Sequence, residues 1–461
     1  MRTHNHRVEA FKPRRVLLMR PAWEPLTSPS ENTYNRTWPP LSSLYVATGL
    51  RERGVDASVV DLQALRRTAA QAVSGIGAQD MVFLSTADVD RWQCPNVEME
   101  PIDRLAAAVR AAGAPFFLTG THGAVAPEKL LRRTGAVGVI HGEPEEAALA
   151  LATGVPPESI PGLLLRDGAD GLLDTGPAPS VDLRRLPAPD YSLVDLDLYG
   201  YEILGRRFAL FEGSRGCPFP CTFCSRVLQG RAMRRKDPGQ LMAEVERAVR
   251  RDGVESAYLI DLEFHLGGAT SRGFCDAMAE SRIPLRWCCE LRPREVGDGL
   301  LDAMAAGGCR LVHCGIESGS QERLEVLDKV GRLEEMVDGV HRILARGMEV
   351  LCFFILGFPG ESEAEIEKTV RLALDLSPTY ASFHLFTPYP GTEYAVAVGD
   401  GAHFVPPSHP DALPFDRLSR LRRAAYLRFY LRPRYVLSRL GRRDYGSLLR
   451  QARLLVSQAV S

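Results

Sequence analysis

Twice along this chain, short runs rich in β-branched and aromatic residues alternate with amphipathic helical stretches. A parallel sheet covered by helices satisfies such an alternation, and few other folds do. The first series occupies residues 1–153, with strands expected at Arg15–Met19, Asp56–Val60, Asp80–Ser85, Pro115–Thr119 and Ala136–Ile140 and helices near 41–53, 64–75, 101–112, 125–133 and 144–152. This is the pattern of a doubly wound, Rossmann-like α/β sheet, whose ligands sit at the carboxyl ends of the strands. Those ends carry Arg20-Pro21-Ala22-Trp23, Asp61-Leu62-Gln63, Ser85-Thr86-Ala87-Asp88, Gly120-Thr121-His122-Gly123 and His141-Gly142-Glu143.

A Pro-, Gly- and Asp-rich stretch over 154–205 follows, expected to be a linker with one small β-hairpin. The second series, over 206–396, places strands at 208–212, 256–261, 285–290, 310–314, 350–356 and 380–386, with helices near 238–251, 270–281, 295–306, 320–328, 333–346 and 362–376. Six such units predict a partial (β/α)6 barrel with its chemistry at the strand carboxyl ends. A Pro-rich joint (Pro406, Pro407, Pro410, Pro414) and a helical C-terminal region over 397–461 complete the chain.

Directly after the first strand of the second series come Cys217, Cys221 and Cys224, spaced C-x3-C-x2-C. A [4Fe–4S] cluster normally takes four thiolates, so a triplet leaves one iron open to another ligand. A zinc site requires a fourth Cys or His nearby, and the next His downstream is His265. The triplet therefore predicts an iron–sulfur cluster with an open corner. Ten scattered cysteines, two of them adjacent (Cys288, Cys289), suit a reducing compartment rather than a disulfide framework. A net charge of −1 gives no polyelectrolyte character for nucleic acid. The polar start and the short apolar run Val16–Met19 do not make a signal peptide, and no apolar run is long enough to span a bilayer. A cytoplasmic location is expected.

With these residues in place, the chain resembles the radical S-adenosylmethionine (SAM) superfamily, in the branch with an N-terminal cobalamin-binding domain. Besides the triplet and the aromatic Phe223 within it, the resemblance is carried by Asp261-Leu262-Glu263-Phe264, by Trp287 with Arg292, by Gly315-Ile316-Glu317-Ser318-Gly319-Ser320, by Phe354-Ile355-Leu356-Gly357-Phe358-Pro359-Gly360-Glu361, and by Pro388-Tyr389-Pro390-Gly391-Thr392. It implies that Cys217, Cys221 and Cys224 hold the cluster. It further implies that SAM is contacted by Phe223, Asp261, Glu263, Arg292, Glu317, Ser318, Ile355 and Gly357. In the first domain, Thr119-Gly120-Thr121-His122-Gly123-Ala124 and Gly142-Glu143-Pro144-Glu145 resemble the two cobalamin turns of that branch. Ser85, Thr86, Gly120, Thr121, His122, Gly142 and Glu143 are thereby implied as corrin contacts. No G-x-G-x-x-G follows the first strand, which argues against a dinucleotide.

No D-x-H-x-x-G turn supplies an axial histidine; Asp61-Leu62-Gln63 is the nearest string, and His122 is expected to pack rather than ligate. The residue beneath cobalt is expected from the stretch Ser85 to Trp92. The resemblance implies a C-methyltransferase acting on an unactivated carbon of a small metabolite in natural-product biosynthesis. Its cofactors would be the cluster, SAM and methylcobalamin, with flavodoxin or ferredoxin as electron donor. Two alternatives stand beside it: a related enzyme that cyclises, rearranges or oxidises without methyl transfer, and a silent cobalamin-binding protein, for which a complete triplet would serve nothing.

Further features read as structural or as cavity lining. Cys94 is read either as a substrate-side thiol or, in preference, as a small hydrophobe packed in its loop, and Cys275, Cys288, Cys289, Cys309, Cys314 and Cys352 are expected to lie in the core. The absence of cysteines after Cys352 excludes an auxiliary cluster there, and Cys94 alone in the first domain argues against the methylthiotransferases. His265, His313, His384 and Tyr389 are candidates for the cavity wall. From Arg417 to Arg443 ten Arg and no acid give a local charge of +10, expected either to meet a phosphorylated substrate, an acidic carrier or a membrane surface, or to be a solvated helix face.

Overall fold

Strands buried on both faces are apolar along most of their length, and the central strands of both sheets are built that way apart from a few polar side chains such as Glu290 and His313. The computed structural model describes residues 12–23, 36–168 and 171–441. In the first sheet, β1 (Arg15–Arg20), β2 (Ala57–Asp61), β3 (Asp80–Ser85), β4 (Phe116–Thr119) and β5 (Gly138–Ile140) pair in parallel in the order β2-β1-β3-β4-β5. All six residues of β3 are buried. Its order reverses beside β1, leaving a crevice at the carboxyl ends of β1 and β3, where open α/β sheets take their ligands.

Three expectations change here. The hairpin expected inside the linker is β6 (Leu163–Asp167) and β7 (Gly171–Asp174), and it adds antiparallel to β5, making a seven-stranded sheet. The apolar Leu163-Leu164-Leu165 run explains this, since all three residues are buried against the edge it covers. The helix expected over 64–75 is two short pieces, Leu62–Leu65 and Ala69–Ala72, separated by Arg66 in the left-handed conformation and restarted by a Thr68–Gln71 capping box. Likewise 125–133 is Thr121–Val125 followed by Pro127–Thr134, because Pro127 opens a new helix at its first position.

The second sheet is all parallel and strictly sequential: β8 (Phe208–Phe211), β9 (Ser256–Leu259), β10 (Arg286–Leu291), β11 (Cys309–Glu317), β12 (Glu349–Leu356) and β13 (Tyr380–Leu385). Alternate side chains divide two environments. Trp287, Cys289 and Leu291 pack outward under the helices, whereas Cys288 joins Phe208, Leu210, Tyr258, Leu311 and Leu351 inside the barrel. Cys275, Cys288, Cys289, Cys309, Cys314 and Cys352 are all buried, as expected of core thiols.

The domains are locked together by buried charge. Arg215, fully buried, pairs with Glu145 at 2.6 Å, Glu212 at 2.7 Å and Glu143 at 3.2 Å and lies over the Trp92 ring, while Arg234 pairs with Glu143 at 2.6 Å. Lys236 bonds both Glu244 and the Tyr45 hydroxyl of the first domain. The Pro-rich joint returns to the first domain, where Phe404 and Val405 are buried in its core and Phe404 N–H donates to the Val97 carbonyl.

The Arg-rich helix Phe415–Tyr430 docks on the barrel helix Glu363–Leu376 through Arg417–Glu363 and Arg428–Glu367, both 2.6 Å. Part of its charge is thus spent on neighbouring carboxylates. Arg442, Arg443 and residues 444–461 lie outside the described residues, as does the polar start of the chain. Among the described residues no helix is long and apolar enough to cross a membrane.

Candidate functional site

The carboxyl ends of the two sheets open into one cavity of about 390 Å³. The first domain contributes Arg20, Gln63, Ser85, Thr86 and the loop from Asp88 to Asn96; the barrel contributes Cys217, Cys221, Phe223, Cys224, Glu263, Glu290, Arg292, Glu317, Lys329 and Ile355. Distant stretches of sequence thus form a single wall only through the domain contact.

On the barrel side, the triplet sits in the loop after β8, pinned by a small ribbon between Ser214–Arg215 and Arg234–Arg235. Gly216 has φ +97 there, and a Cβ on it would meet the Ala232 carbonyl at 2.2 Å, so the turn into Cys217 requires glycine. Burial pushes the Cys217 thiol up to about 11 and the Cys224 thiol up to about 12. Such thiols stay protonated until a metal displaces the proton. Among the described residues no three His, Cys, Asp or Glu side chains are already drawn together around a single point.

Arg292 organises this wall. Its Nε donates to Glu263 at 2.9 Å, Nη2 donates to Cys221 Sγ, and the guanidinium stacks on Phe219 at 3.7 Å. Its Nη1 is buried and has no partner. An orphaned guanidinium N–H beside the thiols fits an anionic group arriving there, such as a carboxylate or a cluster. Glu317, held at φ 68, pairs with Lys329 at 2.8 Å.

The first-domain wall is different. Ser85 Oγ, Asp90 Oδ1 and Gln93 Nε2 are buried without partners, and all three residues line the cavity. Burial, with Asp88 adding to it, raises the Asp90 carboxyl to about 6. Asp88 itself is occupied, accepting from Ser42 N–H and Oγ, Ser43 Oγ and Val89 N–H, so it clamps the loop to the helix Leu41–Glu52. Orphaned donors and acceptors on one wall are what a large polar ligand with amide groups around its rim would satisfy.

Several sequence-predicted residues do not reach the cavity wall. Asp261 accepts from Gly213 N–H at 2.9 Å and from the Ser214 hydroxyl, bracing the start of the cluster loop. Ser318 Oγ faces Thr369, and Gly357, at φ +86, is packed under Leu418. Gly120, at φ +95, is closed on Ala87, and Gly142 on Ala178, so both glycines serve internal close approach. Thr121 donates to the Trp92 carbonyl, His122 Nε2 donates to the Asn96 carbonyl at 2.7 Å, and Glu143 is bound by Arg215, Arg234 and Val181 N–H. These three hold the Asp88–Asn96 loop and the domain contact in place. Burial lowers His122 to about 4, so it is a neutral donor, in keeping with its expected packing role.

Among the residues set aside as lining or structural, His313, His384 and Tyr389 line the cavity; His265 does not. Cys94 lines the cavity and is half-buried, so the preferred reading of a thiol packed within its loop gives way to a place on the wall. Glu290, Lys329 and Gln93 were missed, and no motif in the sequence marks them; Asp90 falls within the stretch Ser85 to Trp92.

The comparisons agree with this geometry. Residues 211–373, which make up most of the barrel, match the Radical SAM superfamily model. An uncharacterized methyltransferase of Pyrococcus horikoshii is 28% identical over 455 residues, spanning 93% of this chain and 95% of its own. Among solved structures, the cobalamin-dependent SAM radical enzyme OxsB, with aqua-cobalamin and SAM bound, superposes at TM-score 0.69 and 14% identity, covering 95% of this chain and 72% of that one. The radical SAM methyltransferase TsrM of Kitasatospora setae, with cobalamin and a [4Fe–4S] cluster bound, superposes at TM-score 0.66 and 19% identity, covering 84% of this chain and 74% of its own. The whole two-domain fold is shared with cobalamin-dependent radical SAM enzymes.

Proposed function

We propose that this chain is a cobalamin-dependent radical SAM C-methyltransferase acting on a small molecule. The observation that carries the reading is the single cavity in which the cysteine triplet faces a first-domain wall of orphaned polar atoms. Bound there, a [4Fe–4S] cluster, SAM and cobalamin would supply reductive carbon–sulfur cleavage and a methyl carrier, chemistry that no side chain provides.

The residues do the positioning. Cys217, Cys221 and Cys224 would hold three corners of the cluster, and Arg292 would offer its free N–H to the carboxylate of SAM, kept in line by Glu263. Phe223 and Ile355 line the approach with apolar surface. Ser85, Asp90 and Gln93 would bond the polar rim of the corrin. Arg215 and its three carboxylates keep the two walls in register.

Testing requires anaerobically reconstituted enzyme, reductant and candidate substrates, followed by mass spectrometry. The expected products are S-adenosylhomocysteine, 5′-deoxyadenosine and a substrate heavier by one methyl group. Accumulation of 5′-deoxyadenosine with a changed substrate that has gained no methyl would replace this reading with a cyclising or oxidising relative.

A further inference from the structure

Three barrel carboxylates line the cavity, and two of them are neutralised: Glu263 by Arg292 at 2.9 Å and Glu317 by Lys329 at 2.8 Å. The third, Glu290, has no cationic partner among the described residues. Its one bond is from the Tyr258 hydroxyl at 3.1 Å. The neighbouring cations are engaged elsewhere, Arg36 with Glu202 and Arg226 with the Phe219 carbonyl. His313, the register neighbour of Glu290 on β11, is held neutral by burial and bonds the Tyr201 hydroxyl at 3.0 Å.

Around this acid the cavity is aromatic. The His313 ring stands 5.0 Å from Tyr258 and 5.5 Å from Phe353, and all three line the cavity with Glu290. An acid in an aromatic-lined part of the cavity, with no paired cation, is complementary to a positively charged nitrogen on an otherwise apolar body. Burial, reinforced by Glu263 and Glu317, raises the empty carboxyl to about 8, and an incoming cation would reverse that shift.

We propose that Glu290, with Tyr258 and Phe353, forms the substrate subsite of the cavity and takes the cationic nitrogen of an amine-bearing substrate. This rests on the cavity being the reaction chamber of a radical SAM enzyme. It adds the chemical class of the substrate and the residue that selects it.

The test is anaerobic calorimetry on the reconstituted holoenzyme with benzylamine, benzyl alcohol and benzoate as probes, and a SAM titration on the same preparation. Wild type is expected to bind benzylamine roughly tenfold or more tighter than benzyl alcohol, with benzoate weakest. Glu290→Gln is expected to abolish that preference while SAM affinity stays within about twofold. Should Glu290→Gln not fold, Glu290→Asp, which withdraws the carboxyl by one methylene, is expected to cut the preference several-fold. No amine preference in wild type, or a preference unchanged in these variants, overturns the proposal. So does a parallel loss of SAM affinity, which would assign Glu290 to the ammonium group of SAM. Failure to assemble a cluster or bind SAM, with the amine preference intact, would instead count against the radical SAM reading.

Discussion

The two walls of the cavity are built on opposite principles. On the barrel side the buried charges are mostly answered within the protein, Arg292 by Glu263 and Lys329 by Glu317, so the wall is rigid before anything binds. On the first-domain side Ser85, Asp90 and Gln93 keep buried polar atoms without partners. One wall is thus preorganised by its own ion pairs. The other leaves buried hydrogen-bonding atoms unmet, and its loop is kept in shape from behind by Asp88, His122 and Arg215.

The contrast can be broken most severely at the triplet. Cys217→Ala should remove one of three thiolates and abolish both cluster absorption and SAM cleavage after reconstitution, since two thiolates cannot retain the cluster. Next in size is the lock behind the walls. Arg215→Met strips the cation from Glu143, Glu145 and Glu212, and breaking such a buried network should lower stability by about 3–5 kcal/mol, read as a fall in the urea midpoint.

Sharpening the comparison needs gentler changes on the first-domain wall. Asp90→Asn and Ser85→Ala change side chains whose Oδ1 and Oγ atoms have no hydrogen-bond partner in the protein, so stability should move by no more than about 1 kcal/mol. Cobalamin affinity should nonetheless fall by about three- to tenfold, measured by equilibrium dialysis with spectroscopic detection. Loss of stability without loss of affinity would show those atoms to be structural.

The smallest effect is a pH dependence behind the wall. Buried His122 titrates near 4 instead of 6.5, so between those values the unfolded chain binds a proton that the native ring refuses. Its contribution is present above pH 6.5 and lost as pH falls toward 4, about 1–2 kcal/mol by pH 5. His122→Gln should therefore lose less melting temperature than wild type between pH 7.5 and pH 5. An equal loss would move the acid sensitivity to His265 and His313, which burial shifts in the same direction.

The barrel wall was largely legible because its chemistry is local. Cys217, Cys221 and Cys224 fall within one loop, and Arg292 and Glu317 lie at strand ends that hydrophobic alternation marks out. The other wall was not, since a partnerless Ser85 or Asp90 is defined by what fails to approach it. Gly120 and Gly142, implied by the resemblance as corrin contacts, stand against Ala87 and Ala178, neighbours that no local pattern names. Cys94 and Glu290 carried no spacing signal, and only packing turned them toward the cavity.

Sequence alone determined the two α/β series and the position of the thiolate triplet, because strand period, helix period and loop-local ligand spacing are short-range properties of a chain. Tertiary structure alone decided that Leu163–Asp167 would extend the first sheet, that Arg215 would hold three carboxylates from two domains, and that Glu290 would be left without a cation. Those outcomes depend on which distant side chains share a low-dielectric space, and no local pattern encodes that.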